Sequence, residues 1–177
     1  MACIKTLNKA ITYDCQLGSV GIAEMYLINF DDVSGATEGA VLDITAINLK
    51  AGAKTIPVDC YKNGAKLTEA LKLSDVSAGL DQSIMFTLYN KGVDSRFIIN
   101  ALMNGRFMAA VKLNDLNANL QLVGYKCGLE ISQADTDSNA AGGFTTLTIK
   151  TPDDARGENR WGLSIAAWST VVSAKLI

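Results

Sequence analysis

The chain has 177 residues, 49% hydrophobic, 19% charged and 7% aromatic, with 16 basic against 18 acidic side chains and no histidine. That length reads as one domain spanning 1–177, large enough to hold a core without disulfides or metal, and too hydrophobic for intrinsic disorder. A net charge of −2 points away from nucleic acid and anionic membranes, and the missing histidine removes His-based acid–base chemistry, the triads that use it and the commonest metal ligand.

In chain order, the dominant period is two. Residues 22–30 (IAEMYLINF) form a β-prone run. In 41–48 (VLDITAIN), Leu42, Ile44 and Ala46 alternate against Asp43, Thr45 and Ile47. Asn63-Gly64 suits a type I′ hairpin because both central residues must accept positive φ, and 67–73 (LTEALKL) reads as a strand after it. In 82–89 (QSIMFTLY), Ile84, Phe86 and Leu88 share one face and Ser83, Met85 and Thr87 the other. Further half-buried strands are expected at 106–113, 119–126 and 144–150. Ser34-Gly35, Lys91-Gly92 and Gly142-Gly143 punctuate other junctions. One segment breaks the rhythm. In 94–105 (DSRFIINALMNG), Phe97, Ile98, Ala101 and Leu102 predict the buried face of a helix over about 94–104, with Asp94 as N-cap and Gly105 as a left-handed terminator. The stretch 161–173 fits either state: Trp161, Ile165, Trp168 and Val172 make a helical stripe, while its Ser, Thr and Val content favours a strand. The fold class is therefore mainly β, an antiparallel sandwich or barrel with one short packed helix. No apolar run approaches the ~20 residues of a membrane helix.

No constellation supplies catalytic chemistry. Asp135-x-Asp137-x-Asn139 opens like a calcium loop but has Ala140 and Thr146 where an EF-hand needs Gly and Glu. The pairs Asp31-Asp32 and Asp153-Asp154 are adjacent residues, which point apart on a strand, and both suit turn capping. Phosphate-loop and nucleophile-elbow motifs are missing, so no catalytic, cofactor-binding or metal-ligating residue is assigned, and no cofactor is expected. Cys3, Cys15, Cys60 and Cys127 form no C-x-x-C pair and read as free thiols, with a Cys3–Cys15 bridge as the alternative. The opening Met1-Ala-Cys-Ile-Lys is unlike a signal peptide and suggests folding in a reducing cytoplasm. Tyr125, Trp161 and Trp168 read as core or interface anchors, because no basic residues interleave with them as a nucleic-acid groove requires.

Several phrases form one ordered set: Cys3 with Asp14-Cys15, Gly18-x-x-Gly21-Ile22, Asn29-Phe30-Asp31-Asp32-Val33, Leu102-x-Asn104-Gly105-Arg106-Phe107 running on to Lys112-Leu113-Asn114-Asp115, and Leu122-Val123-Gly124-Tyr125-Lys126-Cys127-Gly128-Leu129-Glu130 before a polar loop and a Thr-rich strand. Taken together, they resemble structural proteins of tailed phages and prophages of Bacteroides-type bacteria. Cys127 departs from the Asn expected before Gly-Leu-Glu, which puts the shape of that turn in doubt. The resemblance implies a virion component similar to tail-tube subunits: a homo-oligomeric ring, with a hexamer as the candidate order, stacking into a tube beside other virion proteins. A head–tail connector, capsid decoration or fibre-base protein is the alternative within that class. Outside it stands a carbohydrate- or host-surface-binding sandwich using Trp161, Trp168 and Tyr125 as platforms.

Self-assembly sets further expectations. Apolar second strand faces, such as Ile47 and the alternating sides of 161–172, would meet neighbouring subunits. Loops 31–40, 131–143 and 151–160 would reach across, Arg156 and Arg160 pairing with Asp31 or Asp32 of another copy. An uneven charge distribution, two lysines against six acids in 1–49 and nine basic residues against five acids in 50–112, would favour head-to-tail contact.

Overall fold

The computed structural model describes residues 21–60, 64–74, 77–89, 92–114, 120–139, 143–153 and 156–176. The elements are β1 (Ile22–Asn29), β2 (Val33–Glu38), β3 (Asp43–Leu49), β4 (Thr55–Val58), β5 (Ala65–Ser74), β6 (Ser77–Leu88), α1 (Val93–Asn104), β7 (Phe107–Leu113), β8 (Leu120–Val123), β9 (Glu130–Thr136), β10 (Thr145–Lys150), β11 (Trp161–Leu163) and α2 (Ile165–Ser173). The protein is mainly β, as the period-two runs predict. Seven strands form a first sheet in the order β2-β3-β11-β8-β7-β1-β4, and four form a second in the order β5-β6-β10-β9. Every pairing is antiparallel except β3 with β11. Neither sheet closes into a barrel.

The core has two compartments, one on each face of the seven-stranded sheet. Met25, Leu27, Ala109, Val111 and Val123 meet Ile84, Phe86, Leu147 and Ile149 of the four-stranded sheet. On the opposite face Tyr26, Ile28, Met108, Ala110, Leu122 and Trp161 pack with Ala167 and Val171 of α2. Burial on both faces explains why β1 and β7 carry near-continuous apolar runs, and it corrects one expectation. The second apolar faces are covered by the chain's own α2 and leave little for a neighbour. Ile47 belongs to this inner set because Thr37 pairs with Ala46 while Glu38 pairs with Ile44, leaving Thr45 as an extra residue. That bulge brings Ile44 and Ile47 to one side, where strict alternation separates them.

Helix α1 lies over 93–104, but its phase differs from the expected one. Ser95 and Leu102 are buried and Ile99 half-buried, whereas Phe97 is 74% exposed and Ile98 and Ala101 also face out. At 3.6 residues per turn, Val93, Phe97 and Ala101 lie roughly opposite the buried stripe. The small Ser95 fits under the helix where Phe97 would not. Gly92, not Asp94, occupies the N-cap, and Gly105 ends the helix at φ −105°, in extended backbone. Its missing side chain matters for space: a Cβ would sit 2.7 Å from the Phe107 ring. Leu102→Ala should therefore lower stability by about 2–5 kcal/mol. Phe97→Ser should change it by less than about 0.5 kcal/mol, as for surface sites, with urea midpoints as the measure. Equal losses at the two positions would reverse the assigned phase.

The expected Asn63-Gly64 hairpin has Asn63 outside the described residues, and the flanking strands belong to different sheets. β4 pairs with β1, and β5 with β6. The ambiguous 161–173 resolves into both options, strand then helix. Ser164 marks the switch, its side chain accepting a hydrogen bond from the Ala167 N–H at 3.2 Å as the N-cap of α2.

The connection from β10 to β11 is a strap laid across the end of β6. The Thr151 N–H donates to the Gln82 carbonyl, and Leu80 and Glu158 exchange backbone hydrogen bonds. Gly157 crosses Gly79 so closely that a Cβ on Gly157 would lie 2.8 Å from the Gly79 Cα.

Candidate assembly surface

Strand edges are where a sheet protein meets another chain, because they present unpaired backbone donors and acceptors. The two sheets treat their edges differently. At β4, Pro57 has no N–H to offer, and residues 174–176 pair on Thr55: its N–H donates to the Ala174 carbonyl and its carbonyl accepts from Leu176. At β2, only six residues long, register shifts between Val33 and Gly35 and between Thr37 and Glu38 break the edge. Both are blunted edges. The four-stranded sheet ends in β5, ten residues long, and β9, seven residues long. Among the described residues neither has a second strand partner.

The β5 edge projects beyond its own core. Along its inner face Ala65 is buried and Leu67 and Glu69 half-buried, while Leu71 and Leu73 are 66% and 70% exposed. The outer face carries Lys66 and Lys72, and the Lys72 ammonium donates to the Asp153 carbonyl at 2.9 Å. β9 carries Glu130 and Asp135, with Asp137 just beyond. Glu130 pairs with Arg106 at 2.6 Å, and Asp135 accepts from the Gln133 amide. Alongside β9, the outer face of α1 presents Val93, Phe97, Ile98 and Met103. Clustered exposed apolar side chains of this kind mark interaction sites. Between the end of α1 and the start of β9 lies a cleft of about 580 Å³, lined by Phe30, Asp31, Met103, Arg106, Glu130 and Ile131 among others.

No family model, curated protein or solved structure matches this chain.

Two of the three predicted loops hold regular structure: 31–40 is mostly a 3-10 turn and β2, and 131–143 begins with six residues of β9. The third, 151–160, is the strap, and its polar groups Thr151, Asp153, Glu158 and Arg160 bond within the chain itself. Arg160 pairs with Glu69 at 3.1 Å, which removes it from the expected contact with Asp31 or Asp32 of another copy. Asp32 accepts from the Asn29 amide, while Asp31 and Arg156 stay exposed. Glu158, 1% exposed, is the strap's anchor: its Oε1 accepts the backbone N–H groups of Lys126 and Cys127, and its Oε2 is buried without a partner. The tight turn that offers those donors runs between Gly124 and Gly128, both at positive φ. Nothing in the sequence marks Glu158, because its role depends on this turn.

Of the aromatic trio, Trp161 is buried and Tyr125 and Trp168 are half-buried. Trp161 is fully buried, edge-on to Tyr125 at 4.9 Å, and Trp168 packs edge-on to Tyr26 at 5.3 Å. Of the three platforms that the carbohydrate reading names, burial removes Trp161. Lys126 covers Tyr125, its ammonium 4.3 Å from the ring centroid, and pairs with Glu38. The hydrogen bond from Lys126 holds the Glu38 carboxyl below the usual glutamate range. Burial pulls Lys126 down, but the Glu38 hydrogen bond and charge outweigh it and leave it raised. Because Glu38 is depressed, whatever this pair adds to stability is present above the ordinary glutamate range and fades as pH falls through the depressed value.

Asp137 accepts the Asn139 N–H in a local turn, and among the described residues no three His, Cys, Asp or Glu side chains are arranged to hold a metal. Asp154 lies outside the described residues, while Asp153 pairs with Lys150. Cys3 and Cys15, with their possible bridge, also lie outside them. Cys60 and Cys127 are free thiols. Burial pushes Cys60 up to about 11 and, with the nearby Glu158 carboxylate, also raises Cys127. Both are poor nucleophiles at neutral pH, where the thiolate is the reactive form.

Proposed function

We propose that the chain is a virion structural subunit that self-assembles into rings stacking into a tube, similar to tail-tube proteins. One observation carries the reading: among the described residues the four-stranded sheet leaves a continuous ten-residue edge at β5 and a seven-residue edge at β9, interrupted by one bulge at Ser132, while the larger sheet has blunted both of its own. Soluble monomers protect such edges, and a closed ring removes them by joining each copy's β9 to the next copy's β5. Strand directions allow this. The order β5-β6-β10-β9 is antiparallel throughout, so β5 and β9 run in opposite senses. Copies related by rotation then meet as an antiparallel pair, the commoner arrangement in sheets. The resemblance of several phrases to phage structural proteins supplies the virion context.

The test is the mass in solution. Light scattering and negative-stain microscopy on concentrated protein should give closed rings or tubes, several times the 18.8 kDa of one chain. A monomer at every concentration and ionic strength would overturn the reading.

A further inference from the structure

We infer that the cleft between the end of α1 and the start of β9 seats the distal β5–β6 hairpin of a second copy of this chain, with Leu71 and Leu73 entering it. The inference rests on the self-assembly reading and adds a specific seat to it. Three observations converge on it. First, the occupant's chemistry is uncovered: Leu71 and Leu73 lie on the inner face of β5, past the point where the chain's own core ends. Second, the cleft sits beside the edge that would receive β5. Leu88 of β6 is opposite Thr145 of β10, which is opposite Thr136 of β9. So α1 departs near the end of β9, and its last residue, with Met103, reaches the cleft beside Glu130 at the start of β9. The helix, about 18 Å long, thus runs antiparallel to the strand, about 23 Å long.

Third, charge and face agree in one register. With the incoming Ala65 set against Thr136 in an antiparallel pair, Lys66 falls opposite Asp135 on the outer face. Leu67 then falls opposite Ala134 on the inner face, where Ala134 already faces the buried Leu147. Opposite charges directly across a strand pair are favourable, and like charges are not. β5 is three residues longer than β9. β9 holds one extra residue at Ser132, so Glu69 falls opposite Ile131 and Ala70 opposite Glu130, and Leu71 and Leu73 pass beyond the strand on the inner face, toward Met103 and Phe30. Phe30, Met103 and Ile131 give the cleft its apolar surface, beside the polar side chains of Asp31, Asn104, Arg106 and Glu130.

A photo-crosslink tests the seat directly. Benzoylphenylalanine placed at Met103 in the full chain, irradiated in assembled samples, should give a dimer-sized adduct whose partner peptide maps within residues 65–80. Leu73→Asp, at a side chain exposed in the single subunit, should raise the concentration for half-assembly at least tenfold with unchanged circular dichroism. Assembled protein whose adducts map elsewhere, or form only within one chain, overturns the seat but leaves ring formation standing. So does a Leu73→Asp variant that assembles like the parent. A parent chain that stays monomeric overturns both.

Discussion

Trp161→Ala should cost about 3–5 kcal/mol, the range for removing a large aromatic from a core. Trp161 is the largest fully buried side chain, on the short strand β11 that joins β3 to β8 in the seven-stranded sheet. It packs with Leu122, Ile44 and Ala167 and takes Tyr125 edge-on. Deleting it opens a cavity between sheet and helix and removes the ring contact that seats the 124–128 turn. Trp161→Phe should cost far less, because it keeps most of the ring and also removes the indole N–H, which is buried without an acceptor. Urea unfolding reads both. A Phe variant as unstable as the Ala variant would mean that the indole N–H does find an acceptor.

The second large effect belongs to Glu158. Glu158→Ala should destabilise by about 2–5 kcal/mol, since it leaves the N–H groups of Lys126 and Cys127 without their acceptor, and buried orphan donors cost about 1–3 kcal/mol each. Glu158→Gln should behave differently. The amide oxygen can still accept both N–H groups, and the amide nitrogen replaces a carboxylate oxygen that has no partner, so a buried charge disappears. The Gln variant is expected within about 1 kcal/mol of the parent, as for hydrogen-bond changes that leave pairing intact. A Gln variant as weak as the Ala variant would show that the negative charge itself is required, which would point to a cation seated beside Glu158.

Much of the fold was legible because strand periodicity is local. The runs at 22–30, 106–113 and 144–150 each contain a strand, and 67–73 and 82–89 overlap longer ones. The departures arise where a distant partner decides. The Thr45 bulge moves Ile47 into the core, and nothing within 41–48 shows it, because the bulge is defined against β2. The α1 stripe was misassigned because Phe97 and Ile98 are the more hydrophobic residues. The helix instead buries Ser95, which is small enough for the space beneath it. The assembly surface was only partly readable. Loops 131–143 and 151–160 drew attention by their polarity, yet the strongest features, the overhanging Leu71 and Leu73 and the open edge of β9, depend on where the core stops. Arg160 shows the same limit, since its partner Glu69 lies on a strand far away in the chain.

The crossing of Gly79 and Gly157 ties two distant positions together across evolutionary time. A side chain gained at either site collides with the backbone of the other, which is already as small as an amino acid can be. No compensating substitution at the partner position exists. Descendants of this chain can abandon one glycine only by changing the path or length of the strap that carries Gly157. Among diverging sequences, then, the two glycines should persist or vanish as a unit, and their loss should coincide with insertions or deletions between Thr151 and Trp161.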